Sequence, residues 1–121
     1  MKRAVLLVGH GSKLAGSNEA MDQVIARLRQ QDSATLFQAA FLELQSPSIP
    51  EGIDFCVKEG AQEVTVVPYF VQTGRHVVQD IPRLVSESQA RHPQKVIHLA
   101  EYLGFDDRIV AVVNDRIKNA R

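Results

Sequence analysis

The chain has 121 residues, 45% hydrophobic and 23% charged, with 14 Lys and Arg balancing 14 Asp and Glu. That composition describes one globular domain with a single modest core, and zero net charge removes the case for a nucleic-acid binder driven by bulk positive charge. The longest apolar runs, AVLLV and VTVVPYFV, are strand-sized and exclude a membrane span.

Taken in chain order, AVLLV (residues 4–8) closes on Gly9 and reads as a buried strand. The basic start MKR precedes an apolar run too short for a secretory signal. Met21, Val24, Ile25 and Leu28 then recur at helical spacing, with Ser17 or Asn18 as the cap. TLFQAAFL (35–42) gives a second strand. In SPSIPEG, Ser48 and Glu51 form a capping box with Pro50 in the first turn. Ile49, Ile53, Cys56 and Val57 supply that helix's buried stripe, and Gly60 stops it. EVTVV (63–67) is a β-branched third strand running into Pro68, Tyr69 and Phe70. A helix is expected over 77–91, with Pro82 placing its true first turn, or a kink, near Asp80. KVIHLAE is a fourth strand, and Phe105, Ile109, Val112, Val113 and Ile117 mark a last amphipathic helix.

The order βαβαβαβα predicts an α/β fold: an open parallel sheet of about four strands with helices on both faces, layered as in flavodoxin. Such sheets bind ligands at the carboxyl ends of their strands. His10, Glu43 and the 70–76 segment all follow strands at that edge, so distance in sequence does not keep them apart.

His10 sits in G-H-G-S, where a glycine on each side permits a sharp turn and leaves the imidazole uncrowded. His76 has the same placement after Thr73, Gly74 and Arg75. Two imidazoles beside a carboxylate, Glu43, suit a divalent first-row metal and can also take protons near neutral pH. Ser12 and Lys13 lie where an anionic ligand could be held near a helix start. Tyr69 and Phe70 line an aromatic pocket or serve the core. His92 reads as an exposed structural residue, His98 as an ordinary strand residue, and Cys56 as packing. One cysteine permits no internal disulfide and fits a reducing compartment, so a cytoplasmic protein is expected. A small uncharged domain also has little to oppose self-association.

At these residues the chain resembles the class II tetrapyrrole chelatases, and specifically the short single-domain CbiX-type sirohydrochlorin cobaltochelatases. The resemblance rests on the opening strand into Gly9-His10-Gly11-Ser12, on FLELQSPSI with Glu43, and on VPYFVQTGRHVVQDIP with His76. It spans nearly the whole chain. The family often follows its late Leu-Gly with a small residue or histidine and then proline, whereas Phe105-Asp106-Asp107 follow Leu103-Gly104 here.

What the resemblance implies is insertion of a divalent metal into sirohydrochlorin with release of two protons, cobalt being favoured over iron or nickel. His10 and His76 would hold the metal, and with Glu43 form the catalytic set. Ser12, Lys13, Tyr69, Phe70, Gly74 and Arg75 would bind the tetrapyrrole. No organic cofactor is expected, and the absence of G-x-x-x-x-G-K-[ST] accords with ATP-independent insertion. Residues 1–121 would be one chelatase domain, half of the two-domain architecture, and would pair as a homodimer around the tetrapyrrole cavity, with no nucleic-acid or membrane partner. Three other readings compete. A histidine phosphatase would need arginine where Gly9 stands. A tetrapyrrole or metal carrier would use the same histidines without turnover, and a flavodoxin-like interaction domain would make them incidental.

Overall fold

The computed structural model describes residues 1–72 and 74–120, and of His76 and Val77 the backbone alone. The elements are β1 (Arg3–Gly9), α1 (Glu19–Gln31), β2 (Leu36–Phe41), α2 (Ile49–Lys58), β3 (Glu63–Pro68), a π-helical turn (His76–Asp80), α3 (Ile81–Arg91), β4 (Val96–Leu99) and α4 (Asp107–Lys118). The strands form one parallel sheet in the order β2-β1-β3-β4. The expected fold class is therefore the observed one, with bounds differing by a residue or two.

The sheet's two faces are filled unequally. Ala4, Leu6 and Val8 of β1 and Val64 and Val66 of β3 point to one side, where Ile49, Ile53 and Cys56 of α2 and Ile81 and Val85 of α3 cover them. Alternate residues point to the other side, where Leu7, Phe37 and Phe41 meet Met21 and Ile25 of α1. Right-handed crossovers explain the division. The steps β2→β3 and β3→β4 run the same way across the sheet and put α2 and α3 on one face. The step β1→β2 runs the opposite way and puts α1 on the other.

Local sequence accounts for the ends of these elements. The Ser48 hydroxyl accepts from the Glu51 N–H at 3.3 Å, and the Glu51 carboxylate accepts from the Ser48 N–H at 2.8 Å, so the capping box is fully made. Asn18 occupies the cap position of α1 without a side-chain hydrogen bond. Pro82 does mark a discontinuity: the single helix expected over 77–91 is divided into the π-turn and α3, which meet at Asp80 and Ile81. One further expectation needs correction. His92 is half-buried rather than exposed, with Nε2 2.7 Å from the Asp54 carboxylate, because α2 and α3 pack side by side. The last helix forms, capped by Asp106, but no residue of it is buried.

Candidate functional site

The central strand β1 ends at Gly9 and is followed by His10, and the neighbouring β2 ends at Phe41 and is followed by Leu42 and Glu43. Two hydrogen bonds carry the pairing past the strands, from the Leu42 N–H to the Gly9 carbonyl and from the Glu43 N–H to the His10 carbonyl, both 3.0 Å. Parallel register, continued past Gly9 and Phe41, thus sets Glu43 opposite Gly11, one residue beyond His10, and the side chains meet with His10 Nε2 2.8 Å from Glu43 Oε1. An ionised carboxylate can only accept, so Nε2 is the donor in this bond. The carboxylate also orients the ring. Both side chains are about half exposed.

After Glu43 the chain reverses in a three-residue turn: the Gln45 N–H donates to the Glu43 carbonyl at 2.8 Å, and Leu44 takes φ +66°. The Gln45 side chain then reaches back, its Oε1 accepting from the Ser12 N–H at 2.8 Å. Gly11, at φ +102°, is the residue that admits this turn, because a Cβ there would run into the Glu43 carbonyl. The two loops are thereby locked together. Gln45 is a positioning residue that the sequence reading missed, since nothing in FLELQSPSI distinguishes it until β2 is known to lie against β1.

The third strand enters the site through the Tyr69 N–H, which donates to the Val8 carbonyl at 2.8 Å. Strand alternation sends Tyr69 and Phe70 to opposite faces, Tyr69 against the Met21 cluster and Phe70 against the larger core. Both still border a cleft of about 310 Å³ that also includes His10, Ser12, Asn18 and Met21. A larger hollow of about 930 Å³ adjoins it and shares Ser12; Lys13, Glu19, Asp22, Leu44 and Gln45 surround it, without a histidine. Lys13 therefore lies beside the cleft rather than in it. Gly74 and Arg75 are exposed at the start of the π-turn, where the Val78 N–H donates to the Gly74 carbonyl at 3.1 Å. The side chain of His76 lies outside the described residues, so its expected meeting with His10 does as well. Among the described residues, no group of three His, Cys, Asp or Glu is arranged to hold a metal ion. The described part of the site supplies two such groups, His10 and Glu43.

Away from the strand ends, the titrating groups are structural. Burial pushes the Cys56 thiol up to about 11, which makes it a packing residue, as expected. Partial burial raises the Asp54 carboxyl, but hydrogen bonds and charge from Arg91 and His92 outweigh this and hold it below its ordinary value. Among the described residues, no helix is long and apolar enough to cross a membrane.

A family model described as CbiX matches residues 4–120. The chain is 34% identical over 119 residues to a sirohydrochlorin ferrochelatase of Bacillus subtilis, covering 98% of this chain and 46% of that protein. It is 29% identical over 137 residues to a sirohydrochlorin cobaltochelatase of Methanocaldococcus jannaschii, covering 93% and 96% of the two. Among solved structures, the sirohydrochlorin chelatase SirB of Bacillus subtilis subspecies spizizenii, in complex with cobalt, superimposes with a TM-score of 0.89 at 34% identity, covering 98% of this chain and 51% of that one. The chain thus spans about half the length of the two Bacillus proteins, at 46% and 51%, and nearly all of the methanogen protein, at 96%.

Proposed function

This chain belongs to the CbiX family, and on that premise we propose that it inserts a divalent metal into sirohydrochlorin without ATP. The observation that carries the reading is the 2.8 Å pairing of His10 Nε2 with Glu43 at the end of the central strand. A hydrogen-bonded imidazole and carboxylate can do both parts of the chemistry. His10 and His76 hold the ion while macrocycle nitrogens replace its waters. Four metal–nitrogen bonds form while two pyrrole N–H bonds break, and the two displaced protons pass to the imidazole–Glu43 pair and then to solvent.

The remaining assignments follow from position and charge. Lys13 and Arg75 meet the substrate's carboxylates, with Ser12 and Gly74 beside them, while Tyr69 and Phe70 face the macrocycle. Cobalt is the metal we favour, over iron and nickel. Residues 1–121 form one chelatase domain, half of a two-domain arrangement, and two copies complete the cavity as a homodimer. The buried single cysteine accords with the reducing cytoplasm.

Anaerobic turnover with sirohydrochlorin and, separately, Co²⁺, Fe²⁺ and Ni²⁺ tests the reading against the spontaneous insertion rate. Multiple turnovers, fastest with cobalt and abolished by His10→Ala and by His76→Ala, are expected. Binding of one equivalent with no acceleration would make the protein a carrier instead.

A further inference from the structure

Glu43 opens a short loop that is tied down at both ends. On the incoming side the Leu42 and Glu43 N–H groups donate to the Gly9 and His10 carbonyls, and on the outgoing side the Pro47 carbonyl accepts from the Phe41 N–H at 2.9 Å. Between these ties the chain turns at Leu44, with φ at +66°. That conformation is unfavourable for a residue with a side chain and persists where the surroundings enforce it. Packing of Leu44 does not enforce it, since the residue is 57% exposed.

Gln45 supplies the constraint. Its own N–H closes the turn on the Glu43 carbonyl at 2.8 Å, and its side-chain Oε1 takes the Ser12 N–H, also at 2.8 Å. Ser12 is steadied in turn, its hydroxyl accepting from the Leu14 N–H at 3.0 Å. Gly11 permits the two loops to approach, but steric room is not attraction, and the hydrogen bond is what retains them. The Gln45–Ser12 bond is partly buried, whereas the His10 and Glu43 side chains are about half exposed. An imidazole–carboxylate pair so placed competes with water for each partner, and its geometry depends on the rigidity of its supports.

We propose that Gln45 governs the rate of metal insertion through Glu43: by holding the Leu44 turn it keeps the Glu43 carboxylate on His10, and it does so without binding the macrocycle. The proposal rests on the chelatase reading above, in which Glu43 accepts displaced protons. Without the Gln45–Ser12 bond, Leu44 relaxes toward negative φ, the adjoining Glu43 peptide turns, and the carboxylate leaves the ring. A displacement of about 1 Å at a reacting group can cost on the order of 10²-fold in rate. The position needs an acceptor of the right reach. Glutamate provides one; leucine fills similar space and provides none. Gln45 also borders the larger hollow, so direct contact with the substrate is the competing role, and that role would appear in KM.

The test compares Gln45→Leu, Gln45→Glu, Glu43→Gln and the double variant Glu43→Gln with Gln45→Leu, in turnover with sirohydrochlorin and Co²⁺. Gln45→Leu should lower kcat by about tenfold or more with KM within about twofold, and Gln45→Glu should restore most of the rate. In the Glu43→Gln background, Gln45→Leu should change kcat by less than about twofold, because the group it positions is already gone. An equal loss in both backgrounds would overturn the proposal, as would a loss carried by KM or an undiminished kcat in Gln45→Leu. Should the leucine variant not fold, Gln45→Asn repeats the test, its amide being one methylene too short to reach Ser12. A crystal structure of the folded variant reads the link without turnover: Glu43 should stand away from His10, and an unchanged pairing would overturn the proposal with the chelatase reading intact. Absence of turnover in the unsubstituted protein would remove the chelatase reading and the effect on rate with it, and the structure would still decide whether Gln45 holds Glu43.

Discussion

Gly11 lies against the main-chain carbonyl of Glu43 so closely that a single methyl group would drive into it. The carboxylate that pairs with His10 is therefore placed by backbone contact between two strand-end loops, before any side chain contributes. Gly11→Ala should cost on the order of 2–3 kcal/mol in urea unfolding and remove turnover by moving Glu43 from His10. Gly16→Ala is the control. Gly16 shares the positive φ, at +79°, but meets nothing within 4 Å, so about 1 kcal/mol of backbone strain and unchanged turnover are expected. Equal damage from both would show that the Gly11–Glu43 contact does not govern the site.

Under the proposed function, Glu43→Gln separates holding the metal from accepting its protons. The amide keeps the size of the side chain and a hydrogen bond to the ring, but loses the charge and the basicity. Turnover should fall by about 10²–10⁴-fold, the range for a positioned proton acceptor. Calorimetric affinity for Co²⁺ should stay within a few-fold of the unsubstituted protein. A parallel loss of cobalt affinity would make Glu43 a ligand.

The Asp54 carboxyl is held below its ordinary value of 3.8 by Arg91 and His92, despite the opposing effect of burial. Its contribution to stability is therefore complete above pH ~4 and is lost as the pH falls through the lower folded value. The pair bridges α2 and α3 but is half in solvent, where screening limits it to about 0.5 kcal/mol. Asp54→Asn should lower the urea midpoint by that amount at pH 7 and narrow the difference below pH 4. A difference that persists undiminished at pH 2 would locate the effect elsewhere.

Much of this arrangement can be read without coordinates, because apolar runs and turn residues carry local physics. AVLLV and EVTVV specify strands, and Ser48 with Glu51 specifies a helix start down to both hydrogen bonds. His10 and Glu43 are legible as candidates from their place after strands. Their meeting depends on β2 being β1's neighbour, and that adjacency is a long-range property. The same dependence hides Gln45 and the Asp54 partner of His92, which are separated in sequence by 33 residues from Ser12 and by 38 from His92. The α4 stripe shows a different limit. Periodicity tells that Ile109, Val112, Val113 and Ile117 form a face needing cover, but a pattern within one chain does not say which molecule provides it.

The π-turn at His76–Asp80 carries a consequence for how this segment tolerates change over generations. A π-helical turn holds one residue more than an α-turn, so it stores an insertion without passing it on. Helix α3 keeps Ile81, Val85 and Ser88 against the core, while the backbone at His76 stands out of phase with that buried stripe. Removing one residue from the turn would restore α-helical phase and rotate the Gly74–His76 backbone by about 100°, with the packing of α3 left in place. Evolution can thus re-aim this loop one residue at a time, and the core beneath it does not have to be rebuilt.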